Sequence, residues 1–164
     1  MKKYLLVFSL FVFIDIGALP IPHKPYVMDF NKKTICLVRK IPVYKAPKWV
    51  GKIELINGKK LFFSSPKSMF EFYFQPGKWF EVGVKKEADF KDILVTNYSN
   101  LKPIDAKKAF YVYGSRAISP TGDDLVPFEN KEQAKKFASS YSGKRVLKFK
   151  EIKPSLIRLI NGRI

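Results

Sequence analysis

The side chains in this sequence that suit a soft metal ion are few, and three of them lie near the N-terminus. His23, Met28 and Cys36 precede the first regular hydrophobic pattern, and Met69 follows later. Thiolate, thioether and imidazole groups are the ligands that Cu(I) prefers. His23, Met28 and Cys36 are therefore candidate metal ligands, with a buried, inert thiol as the competing interpretation of Cys36. Met69 is expected in the core, because it shares a helical spacing with other apolar residues.

No arrangement of residues typical of catalysis occurs in the sequence. His23 lies in a Pro-rich stretch well before Cys36, and there is neither a nucleophile elbow nor an HExxH motif. Asp123 and Asp124 are adjacent, so they point in different directions and do not form an obvious acid/base pair. We therefore predict a protein that is not an enzyme and that needs no cofactor, with Cu(I) as the alternative.

The composition indicates a folded and strongly basic protein. The 164 residues include 31 Lys and Arg against 14 Asp and Glu, a net charge of +17, and 46% are hydrophobic. This hydrophobic content excludes a disordered chain. The charge favours anionic partners, which we expect to be an acidic protein or lipid headgroups. Aromatic residues interleaved with lysines have the spacing of core positions, so we expect no nucleic-acid binding.

Residues 1–18 are typical of a bacterial secretory signal. Lys2 and Lys3 precede an apolar run from Tyr4 to Ile14, which is shorter than the roughly 20 residues that span a bilayer. No Cys follows the run closely, so a lipid anchor is not expected there. The sequence predicts a periplasmic protein, with an uncleaved anchor or a buried helix as the alternative.

The remaining chain shows a repeated order of elements. Residues 19–47 are predicted as an extended, Pro-rich lead-in. Residues 48–98 form a first ββαβ module, in which Asn57–Gly58 makes a tight turn and Ser65 caps a helix. Residues 107–152 repeat this order, with Asn130 as the helix cap, and residues 153–164 form a C-terminal tail that is expected to contain a short helix.

The predicted fold is therefore α+β, with two tandem ββαβ modules packed together, because neither alone buries its helix and sheet well. The alternative is two unrelated αβ pieces that look alike. Within the second module we expect a strand over residues 109–114, a long Gly/Pro-rich loop over 115–124 and a short strand over 125–128.

Both modules resemble the NosL family of nitrous-oxide reductase accessory proteins. The stretches that carry the resemblance are residues 47–49 (PKW), 61–70 (LFFSSPKSMF), 95–98 (VTNY), 104–115 (IDAKKAFYVYGS), 119–128 (SPTGDDLVPF) and 146–149 (VLKF). The resemblance implies a pair of ββαβ modules related to the organomercurial lyase fold. It also implies a periplasmic, often lipid-anchored protein that binds Cu(I) and assists assembly of the reductase.

The motifs that carry sulfur ligands in that family differ in this sequence. The resemblance places a Cys-Gly-Met motif at residues 39–41, where this chain has Arg39, Lys40 and Ile41. It places Pro-Met-Gly at residues 120–122, where this chain has Pro-Thr-Gly. We therefore expect a divergent member without the usual copper ligands.

The predicted function is that of an accessory or assembly protein that binds a periplasmic or membrane-associated partner. The expected docking surface is the loop that contains Ser115, Arg116, Pro120, Thr121, Gly122, Asp123 and Asp124. The alternative for this loop is a plain connection between strands. The alternatives for the function are a copper chaperone with displaced ligands and an electrostatic binder of anionic envelope surfaces.

Overall fold

The computed structural model describes residues 25–163. The predicted signal sequence and the candidate ligand His23 lie outside the described residues. The first sheet contains four antiparallel strands, β1 (Gly51–Leu55), β2 (Lys60–Phe63), β3 (Phe90–Thr96) and β4 (Pro103–Asp105). They are ordered β2-β1-β3-β4, and helix α1 (Pro66–Phe74) follows β2.

The second sheet contains three antiparallel strands, β5 (Phe110–Ser119), β6 (Gly122–Phe128) and β7 (Arg145–Lys148), in the order β6-β5-β7. Helix α2 (Lys131–Ser140) connects β6 to β7, and helix α3 (Pro154–Ile160) packs against α1. In both sheets the first strand of the unit lies between the second and the third. The α+β fold with two ββαβ units and a short C-terminal helix is therefore confirmed. Within residues 25–163, no helix is both long and apolar enough to cross a membrane.

Local sequence signals fix the ends of the helices and the first hairpin. The Ser65 side chain accepts a hydrogen bond from the Ser68 N–H, and Asn130 accepts one from the Gln133 N–H, as predicted for both caps. Gly58 has a φ of +83° in the turn between β1 and β2. These capping and turn residues set where α1, α2 and the first hairpin begin.

The expected long loop over residues 115–124 is wrong, because most of it is strand. β5 continues to Ser119, and β6 begins at Gly122 after a two-residue turn. A register shift between Tyr113 and Ile118 absorbs the extra residues as a bulge. Pro120 suits the first turn position and Gly122 takes a φ of +93°, so the Pro and Gly residues make a tight hairpin rather than an open loop.

One hydrophobic core joins the two units. Phe70 of α1 packs against Tyr111 of β5 and Phe149, with ring centroids 5.5 and 4.9 Å apart. A smaller cluster places Trp49, which precedes β1, with Phe128 and Phe137 of the second unit. Helix α1 therefore packs on its own sheet and on the second sheet as well.

The segment before β1 lies on the first unit. Cys36 and Val43 are fully buried in the main core, and the Leu37 N–H donates to the Phe62 carbonyl. Lys52 is 3% exposed and donates to Asp29 at 2.8 Å, which compensates for burying its charge. This segment thus brings Cys36 and the residues after it to the start of α1.

Candidate functional site at the seam between the two units

Polar side chains are concentrated where the N-terminus of α1 meets the β5–β6 hairpin. We call this group the seam cluster, and its members are Cys36, Arg39, Ser64, Ser65, Lys67, Ser68, Ser119, Thr121 and Asp124. Six of the nine are at most 3% exposed: Cys36, Ser64, Ser65, Lys67, Ser68 and Asp124. Polar groups that are buried to this degree need partners, so their hydrogen bonds define the site.

Asp124 and Lys67 hold the two units together at the seam. Asp124 Oδ1 accepts from the backbone N–H groups of Lys67 and Leu125, at 2.8 and 2.9 Å. Lys67 Nζ donates to the carbonyls of Thr121 and Ile160, at 2.8 and 3.2 Å. One lysine thereby connects α1, the hairpin turn and the end of α3.

Burial shifts both titrating groups of this pair towards their neutral forms. It raises the pKa of the Asp124 carboxyl and lowers the pKa of the Lys67 ammonium. Asp124 Oδ2 has no hydrogen-bond partner among the described residues. Asp124 therefore binds the start of α1 through one carboxylate oxygen.

A chain of hydroxyl groups connects the two positions where the resemblance implies sulfur ligands. Arg39 Nε donates to Ser68 Oγ at 3.2 Å, and Ser68 Oγ lies 3.3 Å from Ser65 Oγ. Ser65 Oγ lies 3.4 Å from Thr121 Oγ1. Residues 39 and 121 are thus linked through two serines that contact each other, although they are far apart in the sequence.

The guanidinium of Arg39 is held by an ion pair. Its Nη2 atom donates to Glu71 Oε2 and to Asn161 Oδ1, both at 2.7 Å. Arg163 donates to the other oxygen of Glu71 at 2.9 Å. The seam therefore carries a fixed positive group at position 39, and Glu71 ties that group to the end of α3.

Of the three candidate metal ligands, Cys36 lies at the seam. Its Sγ atom accepts from the Arg39 N–H at 3.3 Å and from the Ser64 hydroxyl at 3.4 Å. Met28 is half-buried against the main core, and Met69 is a fully buried core residue, as expected. No three His, Cys, Asp or Glu side chains come together as a metal site in residues 25–163.

The predicted docking residues divide between the surface and the interior. Arg116, Pro120 and Asp123 are exposed, whereas Asp124 is 3% exposed. Ser115, Thr121 and Gly122 are half-buried. Three of the predicted docking residues are thus exposed, whereas Asp124 binds α1.

Comparison with known protein families shows which family the chain belongs to. The family model described as NosL matches residues 27–157, which is most of the sequence. The chain belongs to the NosL family. No curated protein matches the sequence with significance.

Two solved NosL structures resemble this one. The copper chaperone NosL from Shewanella denitrificans superposes with a TM-score of 0.67 at 22% identity, covering 80% of this chain and 98% of that chain. The apo-NosL protein from Achromobacter cycloclastes gives a TM-score of 0.46 at 24% identity, covering 65% and 87%. The first of these likenesses supports the shared fold.

The backbone at Lys40 supports the position, residues 39–41, at which the resemblance implies a Cys-Gly-Met motif. Lys40 has a φ of +57°, a left-handed conformation that glycine adopts without strain and lysine does not. The backbone at position 40 thus has the shape expected for the glycine of the motif, although the side chain differs.

Sequence reasoning does not identify Lys67, Ser65 and Ser68 as site residues. Ser65 is recognisable as a helix cap, but its contact with Thr121 spans 56 positions in the sequence. No local pattern marks such a contact. The implied motif positions 39 and 121 are the signal that points to this part of the molecule.

Proposed function

We propose that this NosL-family chain is a periplasmic accessory protein that acts by binding a partner protein and does not hold Cu(I) at the seam. The observation that supports this is the pair of residues that meet there. Arg39 and Thr121 supply a guanidinium and a hydroxyl where the resemblance implies sulfur ligands. Neither group is a ligand that Cu(I) prefers.

The charges at the seam also disfavour Cu(I) binding there. The Arg39 guanidinium lies beside Ser68 and the Lys67 ammonium lies beside the Thr121 carbonyl, and like charges repel strongly where water is excluded. Asp124 is the buried carboxylate of the cluster, and Oδ1 already binds two backbone N–H groups. A metal cation at this place would be opposed by charge and would find oxygen rather than sulfur donors.

Copper binding through displaced ligands is the second candidate, and Cys36 favours it. The Shewanella relative is described as a copper chaperone. The Cys36 sulfur accepts two hydrogen bonds at the seam, and sulfur is a ligand that Cu(I) prefers. In this alternative Cys36 would bind the ion together with Met28 and His23.

Titration with Cu(I) separates these two proposals. The purified full chain is titrated against a colorimetric Cu(I) chelator, beside the variants Cys36→Ser, Met28→Leu and His23→Ala. We expect no withdrawal of copper from the chelator by any of the four. Tight one-to-one binding that the three substitutions abolish would overturn the main proposal.

A gain-of-function variant is the matched positive control. Arg39→Cys, Ile41→Met and Thr121→Met together restore the sulfur donors that the resemblance implies at these positions. We expect this triple variant to compete with the chelator, because thiolate and thioether groups then meet at the seam. A triple variant that folds and binds no copper would show that the seam does not control copper binding.

Secretion has its own test, because it depends on residues 1–18. Alkaline phosphatase fused after residue 24 is active only if it is exported. We expect activity from this fusion and none from a fusion that lacks residues 1–18. Inactivity of both fusions would contradict the proposed periplasmic location.

A further inference from the structure

The positive charge from α2 to α3 is not neutralised by ion pairs. Nine Lys and Arg residues lie between positions 131 and 158, against two Glu residues. None of the nine forms an ion pair within the described part of the chain, whereas Lys52, Lys60 and Lys91 of the first unit do. The second unit therefore presents cations that are free to bind an anionic partner.

A groove between α2 and β7 collects part of this charge. It encloses about 340 Å³, with Lys135, Ala138 and Ser139 of α2 on one side and Gly143, Lys144 and Arg145 on the other. Three of these residues are cationic, and no carboxylate lines the groove. We call this feature the basic groove.

The strand beside the basic groove has a free edge. β7 pairs with β5 alone among the described strands, so its outer edge faces no other strand, although the Lys148 N–H already donates to Glu151 Oε2 at 2.6 Å. Such an edge presents N–H and C=O groups to an incoming extended segment. Lys and Arg on an edge discourage pairing with neutral or basic strands, and they leave an acidic strand as the favoured partner.

Close packing fixes the wall of the groove. A Cβ atom added to Gly143 would lie 2.5 Å from Val112 Cγ1, so the turn into β7 sits directly on β5. The aliphatic stem of Lys144 lies against Gly114, where an added Cβ would be 2.9 Å away. Lys144 and the start of β7 are therefore held in place before any partner binds, which lowers the entropic cost of binding.

The basic groove continues into the predicted docking hairpin. The Arg116 N–H donates to the Tyr141 carbonyl at 2.9 Å, and its guanidinium donates to the Ser140 carbonyl at 3.3 Å. Arg116 thus lies at the end of α2 that contributes Ser139 to the groove. The exposed part of the hairpin and the groove form one surface.

We propose that the basic groove binds an acidic, extended segment of a partner protein. The segment adds a strand to the free edge of β7, and its carboxylates lie against Lys135, Lys144 and Arg145. Backbone hydrogen bonds to β7 supply the orientation, and the cations select an acidic sequence. The inference rests on the proposed partner-binding function and names the chemistry of the partner.

The test uses the purified full chain and a defined peptide. The probe is a fluorescein-labelled peptide of about eight residues in which Asp and Val alternate, since that length covers one strand. A second peptide has the same sequence with N-methyl groups on alternate residues, which block strand pairing and keep the charge. Vesicles of phosphatidylethanolamine and phosphatidylglycerol are the competing anionic surface.

Two triple variants are compared, and each removes three positive charges. The groove variant is Lys135→Gln, Lys144→Gln and Arg145→Gln, and the control is Lys32→Gln, Lys33→Gln and Lys85→Gln, all exposed residues elsewhere. We expect the groove variant to bind the peptide about tenfold more weakly and the control to lose about twofold or less. Amide chemical shifts of residues 144–148 should change on addition of the peptide.

Several results would overturn the proposal. They are no peptide binding, equal weakening by the two triple variants, and equal binding of the N-methylated peptide. Tight binding to vesicles that the groove variant loses, without peptide binding, would assign the groove to a membrane surface instead. The copper titration tests a separate claim. Copper binding by the wild type would contradict the proposed function, whereas a failed peptide assay would contradict only the proposal about the basic groove.

Discussion

Lys40 carries backbone strain that glycine would relieve. Its φ of +57° is left-handed, and its side chain is exposed. No contact of that side chain therefore requires the strained backbone. We expect Lys40→Gly to stabilise the protein by about 0.5–1 kcal/mol, less than the full strain because glycine also increases the entropy of the unfolded chain. Urea denaturation measures the change. Lys32→Gly, which lacks the left-handed φ, is the control and should not stabilise.

Asp124 makes the stability depend on pH. Burial raises its pKa above the ordinary value of 3.8, so the folded state binds the proton more tightly than the unfolded chain does. Stability contributed in this way is lost as the pH rises through the folded pKa. An asparagine side chain at this position would keep an oxygen for the N–H groups of Lys67 and Leu125 and would carry no charge at any pH.

We therefore expect the stability of Asp124→Asn, relative to wild type, to increase from about pH 4 towards neutrality. Asp124→Ala lacks the same titrating group but leaves two buried N–H groups without an acceptor, so it should be less stable than Asp124→Asn by about 1–3 kcal/mol at any pH. Thermal unfolding across this pH range measures both variants. A difference between Asp124→Asn and wild type that does not change with pH would contradict the raised pKa.

Helix α3 depends on Glu71 for its attachment to α1. It has seven residues, too few for stability on its own, and Glu71 binds Asn161 and Arg163 just beyond its end. We expect Glu71→Gln to speed amide hydrogen exchange in residues 154–163 and to leave the strands protected. Glu132→Gln, on the exposed face of α2, is the control and should leave α3 unchanged.

Local signals predict the helices and the first hairpin, and tertiary contacts decide the rest. Ser65, Asn130 and Gly58 act on their immediate neighbours, so their roles can be read from a few residues. Asp124 binds a residue 57 positions away, and no nearby pattern distinguishes it from the exposed Asp123. The β5–β6 hairpin has the sequence of a loop, because Pro and Gly content does not reveal a bulge that restores strand pairing.

The two units are expected to fold as one, because they share the main core and the seam. Tyr111, Leu125 and Leu147 of the second unit belong to the same buried cluster as Ile53 and Phe70 of the first. Separating the units would expose these side chains together with the buried polar groups of the seam. Unfolding of one unit alone is therefore costly, and the transition should be cooperative.

Two tryptophans report on different parts of this assembly. Trp49 packs against Tyr98 with centroids 5.3 Å apart and belongs to the cluster with Phe137, whereas Trp79 packs against Phe72 at 5.5 Å in the main core. In Trp79→Phe the remaining fluorescence comes from Trp49, and in Trp49→Phe it comes from Trp79. Each variant should show one urea midpoint by fluorescence and by far-ultraviolet circular dichroism. If Trp49 fluorescence changed at a lower urea concentration than the dichroism, the second unit would open independently and the seam would not couple the two.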